Sequence, residues 1–269
     1  MTRVMGILNT TPDSFSDGGQ WAGRERAVAR ALGMVAEGAD IIDVGGESTR
    51  PGAQSVGIEQ ELDRVIPVVE AIVRESDVTV SVDTSKPEVM EAAVTAGAGM
   101  INDVLALRRD GALRAAAKLG VPVCLMHMQG NPGDMQANPS YSDVVREVEG
   151  FLLQRARACE AAGIAREQIF IDPGFGFGKT LEHNLALFRA LPEFCDSGYA
   201  VLVGVSRKSM LGALTGKPVG ERLAGSVTAA VLAARAGAAV VRVHDVAETV
   251  DALSVMRALE PGPVSLGRS

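Results

Sequence analysis

The chain has 269 residues, of which 47% are hydrophobic and 22% charged, and its formal net charge is −7. This acidic balance argues against a protein that binds nucleic acid or anionic membranes through its overall charge. Cys124, Cys159 and Cys195 are odd in number and lack ligand-like spacing, which argues against a disulfide framework or a zinc site.

Short runs of β-branched residues alternate with longer helical patterns along the chain. Strands are predicted at Val4–Leu8, Ile41–Val44, Val78–Val82, Met100–Val104, Val121–Met126, Ile169–Ile171, Ala200–Val205 and Val240–Val243. Helices are predicted at residues 24–37, 58–75, 87–96, 110–118, 142–162, 181–190, 220–236 and 246–258. Glycines suited to helix C-termini are Gly38, Gly97, Gly120, Gly163 and Gly237.

Eight strand–helix units predict a single (β/α)8 TIM barrel, because right-handed crossovers make the strands parallel. The alternative is an open, doubly wound sheet, but its glycine-rich nucleotide fingerprint is missing after the first strand, where Asn9–Pro12 stand instead. We find no linker or break in composition. We therefore expect one barrel domain over residues 1–260 and a polar tail over residues 261–269.

The start of the chain and its longest small-residue run bear on location. Met1 leads almost directly into the first strand, which predicts that there is no signal peptide. The run Ala229–Val243 contains Arg235 and Arg242, which argues against a membrane span. We expect a cytoplasmic enzyme.

In a TIM barrel, function concentrates at the C-terminal ends of the strands. Each predicted strand ends in hydrogen-bonding or charged residues: Asn9, Asp43 with Glu47, Asp83, Asn102 with Asp103, His127, Asp172, Ser206 to Lys208, and Arg242 with His244. Acids and amides are costly to bury without partners. Their convergence therefore predicts a ligand at this end of the barrel.

Asp83, Asn102 and Asp172 follow strands three, four and six, so they can face one central space. Two carboxylates and an amide are suited to a flat heterocycle with an edge of N–H donors. The other polar strand ends leave alternatives open. For Asp43, a ligand contact and a brace for its loop are equally good interpretations. For Asp103, a role as a loop cap is favoured. For His127, a structural role is favoured over catalysis.

The basic residues point to an anion. Lys208 follows strand seven, and Arg242 and His244 share one face of strand eight. The loops after strands seven and eight are the usual phosphate site of a barrel, and an arginine donates to phosphate oxygens in a forked geometry. Arg50, in the loop after strand two, can reach the same anion. No Ser/His/Asp triad or histidine-rich metal site is apparent.

Asn9 predicts a magnesium contact. A neutral carboxamide oxygen beside phosphates is a suitable partial ligand for Mg²⁺, which keeps several waters and takes charge balance from its substrate. The polar loop beyond it, with Asp13, Phe15 and Asp17 as potential contacts and glycines as flexible points, is suited to close over the active end.

The segments that carry these residues resemble the dihydropteroate synthase family over essentially the whole chain. They are MGILNTTPDSFSDGG, DVGGESTRPGA, VSVDTSKPEV, INDV, LMHMQGNPGDMQ, IDPGFGFGKT, GVSRKSMLG and VRVHDV. Several are long, and they occur in order at successive strand ends, so their joint occurrence is specific. Thr10 and the stretch LALRRDG depart from the family's pattern without removing a site residue.

The resemblance implies an enzyme that joins 6-hydroxymethyl-7,8-dihydropterin diphosphate to 4-aminobenzoate, giving 7,8-dihydropteroate and diphosphate. The implied pterin contacts are Asp83, Asn102, Asp172 and Lys208, with Met128 beside them. The implied diphosphate contacts are Thr49, Arg50, Arg242 and His244, with Mg²⁺ as cofactor and Asn9 as its ligand. The implied 4-aminobenzoate contacts are Phe15, Pro51, Phe177, Ser206 and Lys208. The implied catalytic residues are Asp83, Asp172, Lys208, Arg242 and His244.

The resemblance also implies dissociative chemistry, inhibition by sulfonamides that imitate 4-aminobenzoate, and a homodimer. The apolar small-residue faces of Leu223–Ala236 and Val250–Leu259 are candidates for the dimer contact, although core packing explains these residues equally well. Two other functions stay open. One is a pterin-binding methyltransferase domain, which needs no cations around a diphosphate, and the other is a non-catalytic pterin-binding paralogue.

Overall fold

The computed structural model describes residues 1–10, 19–48, 55–130, 135 and 139–259. Its eight strands form one closed, parallel barrel in chain order. The strands are β1 (Arg3–Asn9), β2 (Ile41–Gly45), β3 (Thr79–Asp83), β4 (Met100–Asp103), β5 (Val123–Met126), β6 (Ile169–Asp172), β7 (Ala200–Val203) and β8 (Val240–Val243). The predicted TIM barrel is confirmed.

The helices surround the barrel and follow the strands that they connect. They are α1 (Gly19–Ala36), α2 (Ile58–Glu75), α3 (Pro87–Thr95), α4 (Ala112–Leu119), α5 (Val144–Ala161), α6 (Leu181–Arg189), α7 (Leu191–Cys195), α8 (Ser209–Thr215), α9 (Leu223–Arg235) and α10 (Val246–Leu259). All five glycines expected at helix C-termini have positive φ angles, between 68° and 107°.

The structure differs from the predicted elements in a few places. The short helices α7 and α8 were not predicted. They have five and seven residues, which is too few for a helical pattern of hydrophobic residues to be recognised. The helix predicted at residues 220–236 begins later, at Leu223, after a 3₁₀ turn at Val219–Glu221. The fifth strand also starts later than predicted, immediately after Pro122, which has no N–H to donate to a neighbouring strand.

Two apolar layers position the site. The larger layer packs the outer faces of the strands against the helices. The smaller layer fills the inside of the barrel with Met5, Ile41, Met100, Cys124, Phe170, Leu202 and Val240. Side chains two residues apart on a strand share a face. Asp43, Asn102, Asp172 and Arg242 each stand two residues beyond a member of this inner layer, so they form the next layer toward the C-terminal end.

The polar tail predicted over residues 261–269 lies outside the described residues, so the predicted domain boundary stays a prediction. The run Ala229–Val243 is divided between α9 and β8. Within the described ranges, no helix combines the length and the apolar composition that a membrane span requires.

Candidate active site

Arg242 is the centre of the polar layer above the barrel core. Its Nε lies 2.6 Å from Asp43 Oδ2, and its Nη2 lies 2.9 Å from Asp83 Oδ2. The Asp43 side chain is fully buried, and those of Asp83 and Arg242 are 12% and 21% exposed. One guanidinium therefore connects the ends of β2, β3 and β8.

Asp43 also organises Asn102, whose Nδ2 donates to Asp43 Oδ2 over 3.0 Å. The other carboxylate oxygen, Oδ1, accepts no hydrogen bond from the described residues. The sequence left Asp43 open between a ligand contact and a brace. In the structure it braces two site residues, Arg242 and Asn102, from below.

Asp172 and Lys208 form the second part of the cluster. Gly174 N donates to Asp172 Oδ1 over 2.7 Å, so a backbone hydrogen bond orients the carboxylate. Lys208 Nζ donates to the carbonyl oxygen of Phe175 and lies 4.6 Å from the centre of the Phe177 ring. The ammonium is thereby fixed to the loop after β6 although it comes from the loop after β7.

The pKa shifts show that these groups share one electrostatic environment. Burial raises the pKa of Asp83 to about 7, Asp43 adds to the rise, and Arg242 opposes it. Burial also raises the pKa of Asp172, against the opposing charge of Lys208. Burial lowers the pKa of Lys208 to about 8, although Asp172 counteracts it. Asp172 and Arg242 both affect the pKa of Lys208, so the two residues lie close enough to belong to one site.

Burial by itself would lower the pKa of Arg242, but Asp43 and Asp83 outweigh it and raise that pKa above its usual range. The guanidinium is therefore a permanent cation. Two carboxylates compete for it in a buried space, which explains why Asp83 retains its proton more readily than an exposed aspartate.

Ser206 and His244 lie beside Arg242 at the ends of β7 and β8. His244 N donates to Ser206 Oγ over 3.2 Å, and His244 Nδ1 lies 3.0 Å from the same oxygen. The Ser206 hydroxyl thus contacts both the backbone and the ring of His244. The strand register places Asn9 opposite Gly45, and Gly45 opposite Asp83. Asn9 is exposed at the same end of the barrel.

Met128 and Phe177 form an apolar wall next to these charges. Both belong to a cluster with Met126 and Met135. Because the Phe177 ring also faces Lys208, this wall adjoins the acidic and basic groups directly. The four remaining predicted site residues, Phe15, Thr49, Arg50 and Pro51, lie outside the described residues, as do Asp13 and Asp17.

Two polar residues at strand ends have the structural roles that the sequence favoured. Asp103 accepts hydrogen bonds from Leu105 N at 2.8 Å and Leu107 N at 2.7 Å, which confirms the predicted loop cap. The ring of His127 packs edge-on against Phe151 at a centroid distance of 5.0 Å. Burial, followed by the charge of Lys179, lowers the pKa of His127 to about 3, so the ring is neutral.

Two further polar residues turn away from the cluster. Glu47 Oε2 pairs with Lys86 Nζ at 2.5 Å, beneath the loop after β2. Arg207, at a φ of 58°, pairs through Nε with Asp245 Oδ2 at 3.0 Å. Polar residues from several strand ends thus meet at one site, as expected, but Glu47 and Arg207 do not take part.

Two buried lysines at this end of the barrel were not among the site residues predicted from the sequence. Lys86 is 4% exposed and Lys179 is 3% exposed, and each makes several hydrogen bonds. A sequence signal existed, because both stand inside the segments VSVDTSKPEV and IDPGFGFGKT that surround site aspartates. Their partners include Glu61 on α2 for Lys86 and His127 after β5 for Lys179, and the sequence does not identify these pairs.

The donor set of this end is compatible with magnesium held mainly by a substrate. Within the described ranges no group of three or more His, Cys, Asp or Glu side chains is placed to hold a metal ion. Asn9 offers an exposed neutral oxygen at the end of β1. Mg²⁺ with one protein ligand, phosphate oxygens and waters fits such a site.

Comparison with known proteins assigns the family. Residues 5–244 match the family described as "Pterin binding enzyme". The dihydropteroate synthase of Escherichia coli (strain K12) is 56% identical over 256 residues, which cover 95% of this chain and 91% of the relative.

Two solved structures extend the similarity to the fold. The Xanthomonas albilineans dihydropteroate synthase with 4-aminobenzoic acid has a TM-score of 0.92 and 57% identity, and the match covers 97% of this chain and 94% of the other. The Yersinia pestis dihydropteroate synthase in a sulfonamide drug complex has a TM-score of 0.91 and 52% identity, with coverage of 96% and 94%.

Proposed function

Because the chain belongs to the pterin-binding enzyme family and, within it, to the dihydropteroate synthases, we propose how its own residues carry out that reaction. The reaction of folate biosynthesis joins 6-hydroxymethyl-7,8-dihydropterin diphosphate to 4-aminobenzoate and releases 7,8-dihydropteroate and diphosphate. The proposal concerns which described residue binds each part of the substrates.

Asp83, Asn102, Asp172 and Lys208 hold the pterin ring, with Met128 against its side. The two carboxylates accept hydrogen bonds from ring N–H groups, and these bonds strengthen as positive charge develops on the ring. Their raised pKa values support this role, because a buried carboxylate without enough donors of its own gains most from a ligand that supplies them.

Arg242 and His244 hold the diphosphate, together with Thr49 and Arg50 from the loop after β2. Arg242 donates to Asp43 and Asp83 through Nε and Nη2, and its Nη1 makes no hydrogen bond to a described residue. The guanidinium can therefore bind a phosphate oxygen while it remains attached to the pterin side of the site. Bound Mg²⁺ would lower the charge of the leaving diphosphate, with Asn9 as its protein ligand.

The chemistry is a dissociative substitution. As the bond between the pterin methylene carbon and the diphosphate oxygen breaks, Arg242 and His244 stabilise the growing charge on the departing oxygen. Asp83 and Asp172 stabilise the pterin-methyl cation. The amine nitrogen of 4-aminobenzoate then bonds to that carbon and loses a proton to solvent. This aromatic amine is neutral at neutral pH, so no strong general base is required.

We place 4-aminobenzoate, and the sulfonamides that imitate it, beside Phe177, Ser206 and Lys208, with Phe15 and Pro51 completing the pocket. The proximity of Lys208 Nζ to the Phe177 ring, 4.6 Å from its centre, supports a site that takes both an aromatic ring and a carboxylate. The related structures that contain 4-aminobenzoic acid and a sulfonamide drug support the same ligand chemistry here.

The two rival functions gain no support. A pterin-binding methyltransferase domain has no need for Lys208, Arg242 and His244 at one end of the barrel, and a non-catalytic paralogue has no need to retain them. We further propose a cytoplasmic location and a homodimer. The cysteines Cys124, Cys159 and Cys195 are all free thiols, which is typical of a reducing compartment.

The contact of Arg242 with both aspartates carries the proposal and suggests its test. The assay contains pterin diphosphate, 4-aminobenzoate and Mg²⁺ and follows diphosphate release. Arg242→Lys keeps a cation next to Asp43 and Asp83 but loses the fork, so we expect turnover to fall about a hundredfold or more while pterin alone still binds. Unchanged turnover would remove Arg242 from the anion site.

Asp172→Asn is the complementary variant. It keeps the size and the hydrogen-bond acceptor of the side chain but loses the charge that faces the ring. We expect it to weaken direct binding of pterin by about tenfold or more. A variant that binds pterin as tightly as the parent shows that Asp172 does not hold the ring.

A further inference from the structure

Lys179 is a buried cation that the proposed mechanism does not use. It lies in the loop between β6 and α6, immediately before the N-cap residue Thr180, and is 3% exposed. None of the ion pairs between described residues involves it. An ammonium in such a position requires acceptors, and backbone oxygens supply them.

Three carbonyl oxygens and one ring nitrogen surround Lys179 Nζ. The carbonyl oxygens are those of Gly174 at 2.8 Å, Phe177 at 3.0 Å and His127 at 3.3 Å. His127 Nδ1 lies 3.1 Å away, and it accepts from the ammonium when the neutral ring carries its proton on Nε2. Lys179 thus connects the loop after β5, which begins at His127, with the loop after β6.

The two loops also touch each other directly. A side-chain carbon added to Gly174, whose φ is 68°, would lie 1.9 Å from the carbonyl oxygen of His127. At this contact, the carbonyl oxygens of Gly174 and His127 both accept from one amine. The amine of Lys179 lies between them and satisfies both.

Hydrogen bonds connect both the C=O and the N–H group of Phe177 to Lys179, one directly and one through Gly174. The carbonyl oxygen of Phe177 accepts from Lys179 directly. The N–H of Phe177 donates over 3.1 Å to the carbonyl oxygen of Gly174, which itself accepts from Lys179. Asp172 differs, because it lies within β6 and Gly174 N binds its carboxylate. Lys179 therefore acts on Phe177 through hydrogen bonds. Its effect on Asp172 is electrostatic: burial raises the pKa of that carboxyl, and the charge of Lys179 is among those that oppose the rise.

We propose that Lys179 is a positioning residue for the second substrate: its bridge between the loops after β5 and β6 fixes Phe177 against Lys208 and thereby sets the affinity for 4-aminobenzoate. This inference rests on the proposed function, in which Phe177 borders that substrate. Burial lowers the pKa of Lys179 to about 7. Both protonation states keep at least two N–H donors for the carbonyl oxygens, so the bridge does not depend on the charge.

The test measures the Michaelis constants of both substrates in Lys179→Met, which keeps most of the side-chain volume and removes the donors. We expect the KM for 4-aminobenzoate and the inhibition constant of a sulfonamide to rise together by about tenfold. Direct binding of pterin should change by less than about twofold. If Lys179 only stabilised the fold, Lys179→Met would reduce the fraction of active enzyme but would leave the KM for 4-aminobenzoate and the inhibition constant unchanged.

Lys179→Gln is the second variant, because its amide retains two N–H donors and should recover part of the lost affinity. The matched control is Lys118→Met, which removes an exposed lysine of α4 and should reproduce the parent. A parental KM for 4-aminobenzoate in folded Lys179→Met overturns the proposal. An equal loss of affinity for both substrates also overturns it, as does failure of both Lys179 variants to fold.

Phe177→Ala separates this inference from the proposed function. If the parent does not turn over, or if Phe177→Ala keeps the parental KM for 4-aminobenzoate, the proposed function of the site is wrong. If Phe177→Ala raises that KM and Lys179→Met does not, only the role of Lys179 is wrong.

Discussion

At the scale of single residues, two aspartates pair with one arginine at the centre of the site. Asp43 and Asp83 both contact Arg242, and each raises the pKa of that guanidinium. Asp83 is the partially exposed partner, at 12%, whereas Asp43 is fully buried. A ligand therefore meets Asp83 first, and the proton on Asp83 decides how well it accepts hydrogen bonds.

We expect the affinity for pterin to rise as the pH increases through about 7, because ionised Asp83 accepts hydrogen bonds better than the protonated acid. Asp83→Asn should bind pterin more weakly and lose this part of the pH dependence. Calorimetric titration of parent and variant between pH 5.5 and 8.5, a span of about 1.5 units on each side of that pKa, measures the difference. An identical pH dependence in both proteins contradicts the prediction.

The same proton affects stability. Folded Asp83 has a pKa of about 7, against 3.8 for an ordinary aspartate, so the folded state binds the proton more tightly. Its contribution therefore favours folding below pH 3.8 and is lost as the pH rises toward 7. Asp83→Asn should remove this decline from the free energy of unfolding in urea.

At the scale of elements, buried charges join segments that no strand pairing connects. Lys86, just before α3, pairs with Glu61 on α2 and with Glu47 in the loop after β2. Glu47 Oε1 also accepts from Val56 N over 3.1 Å. This network attaches both sides of the loop after β2 to the helices below, and Glu61 is fully buried within it.

Removal of Lys86 should be costly, because it leaves two carboxylates facing each other in a largely buried space. We expect Lys86→Met to lower the free energy of unfolding by about 3–5 kcal/mol, measured in urea. The double variant Lys86→Met/Glu61→Met should recover part of this loss, since Glu61 then carries no unpaired charge. Lys118→Met is again the exposed control. A single variant as stable as the parent contradicts the prediction.

At the scale of the whole molecule, the neighbouring helices α9 and α10 expose large apolar side chains. Leu232 on α9 is 46% exposed, and Val255 and Leu259 on α10 are 58% and 79% exposed. The two helices are neighbours. Their shared face is where we place the proposed homodimer contact.

Leu232→Arg/Val255→Arg should convert the proposed dimer to a monomer, because association would bury unpaired charges. Light scattering measures the molar mass, which should fall from that of two chains to that of one 28.0 kDa chain. The control is Val73→Arg on α2, where the side chain is 38% exposed and outside the proposed contact. Dissociation by the control as well, or a parent that is already monomeric, contradicts this arrangement.

The fold could be predicted because its signals are local. Alternating strand and helix patterns, glycines with positive φ and Pro87 at the start of α3 depend on neighbouring residues, and the described structure agrees with them. The site was predicted in part for the same reason, since polar residues at strand ends meet in any closed parallel barrel. Lys86 and Lys179 were missed because their partners depend on how separate loops pack.

The sequence by itself determined the barrel, the end at which its chemistry lies and the family of the chain. Only the tertiary structure decided which charges meet. Arg242 reaches Asp43 across 199 residues and Asp83 across 159, and Lys179 reaches His127 across 52. No local pattern encodes these pairs, because barrel closure and strand register bring them together. Burial then sets their pKa values, and burial belongs to the folded chain as a whole.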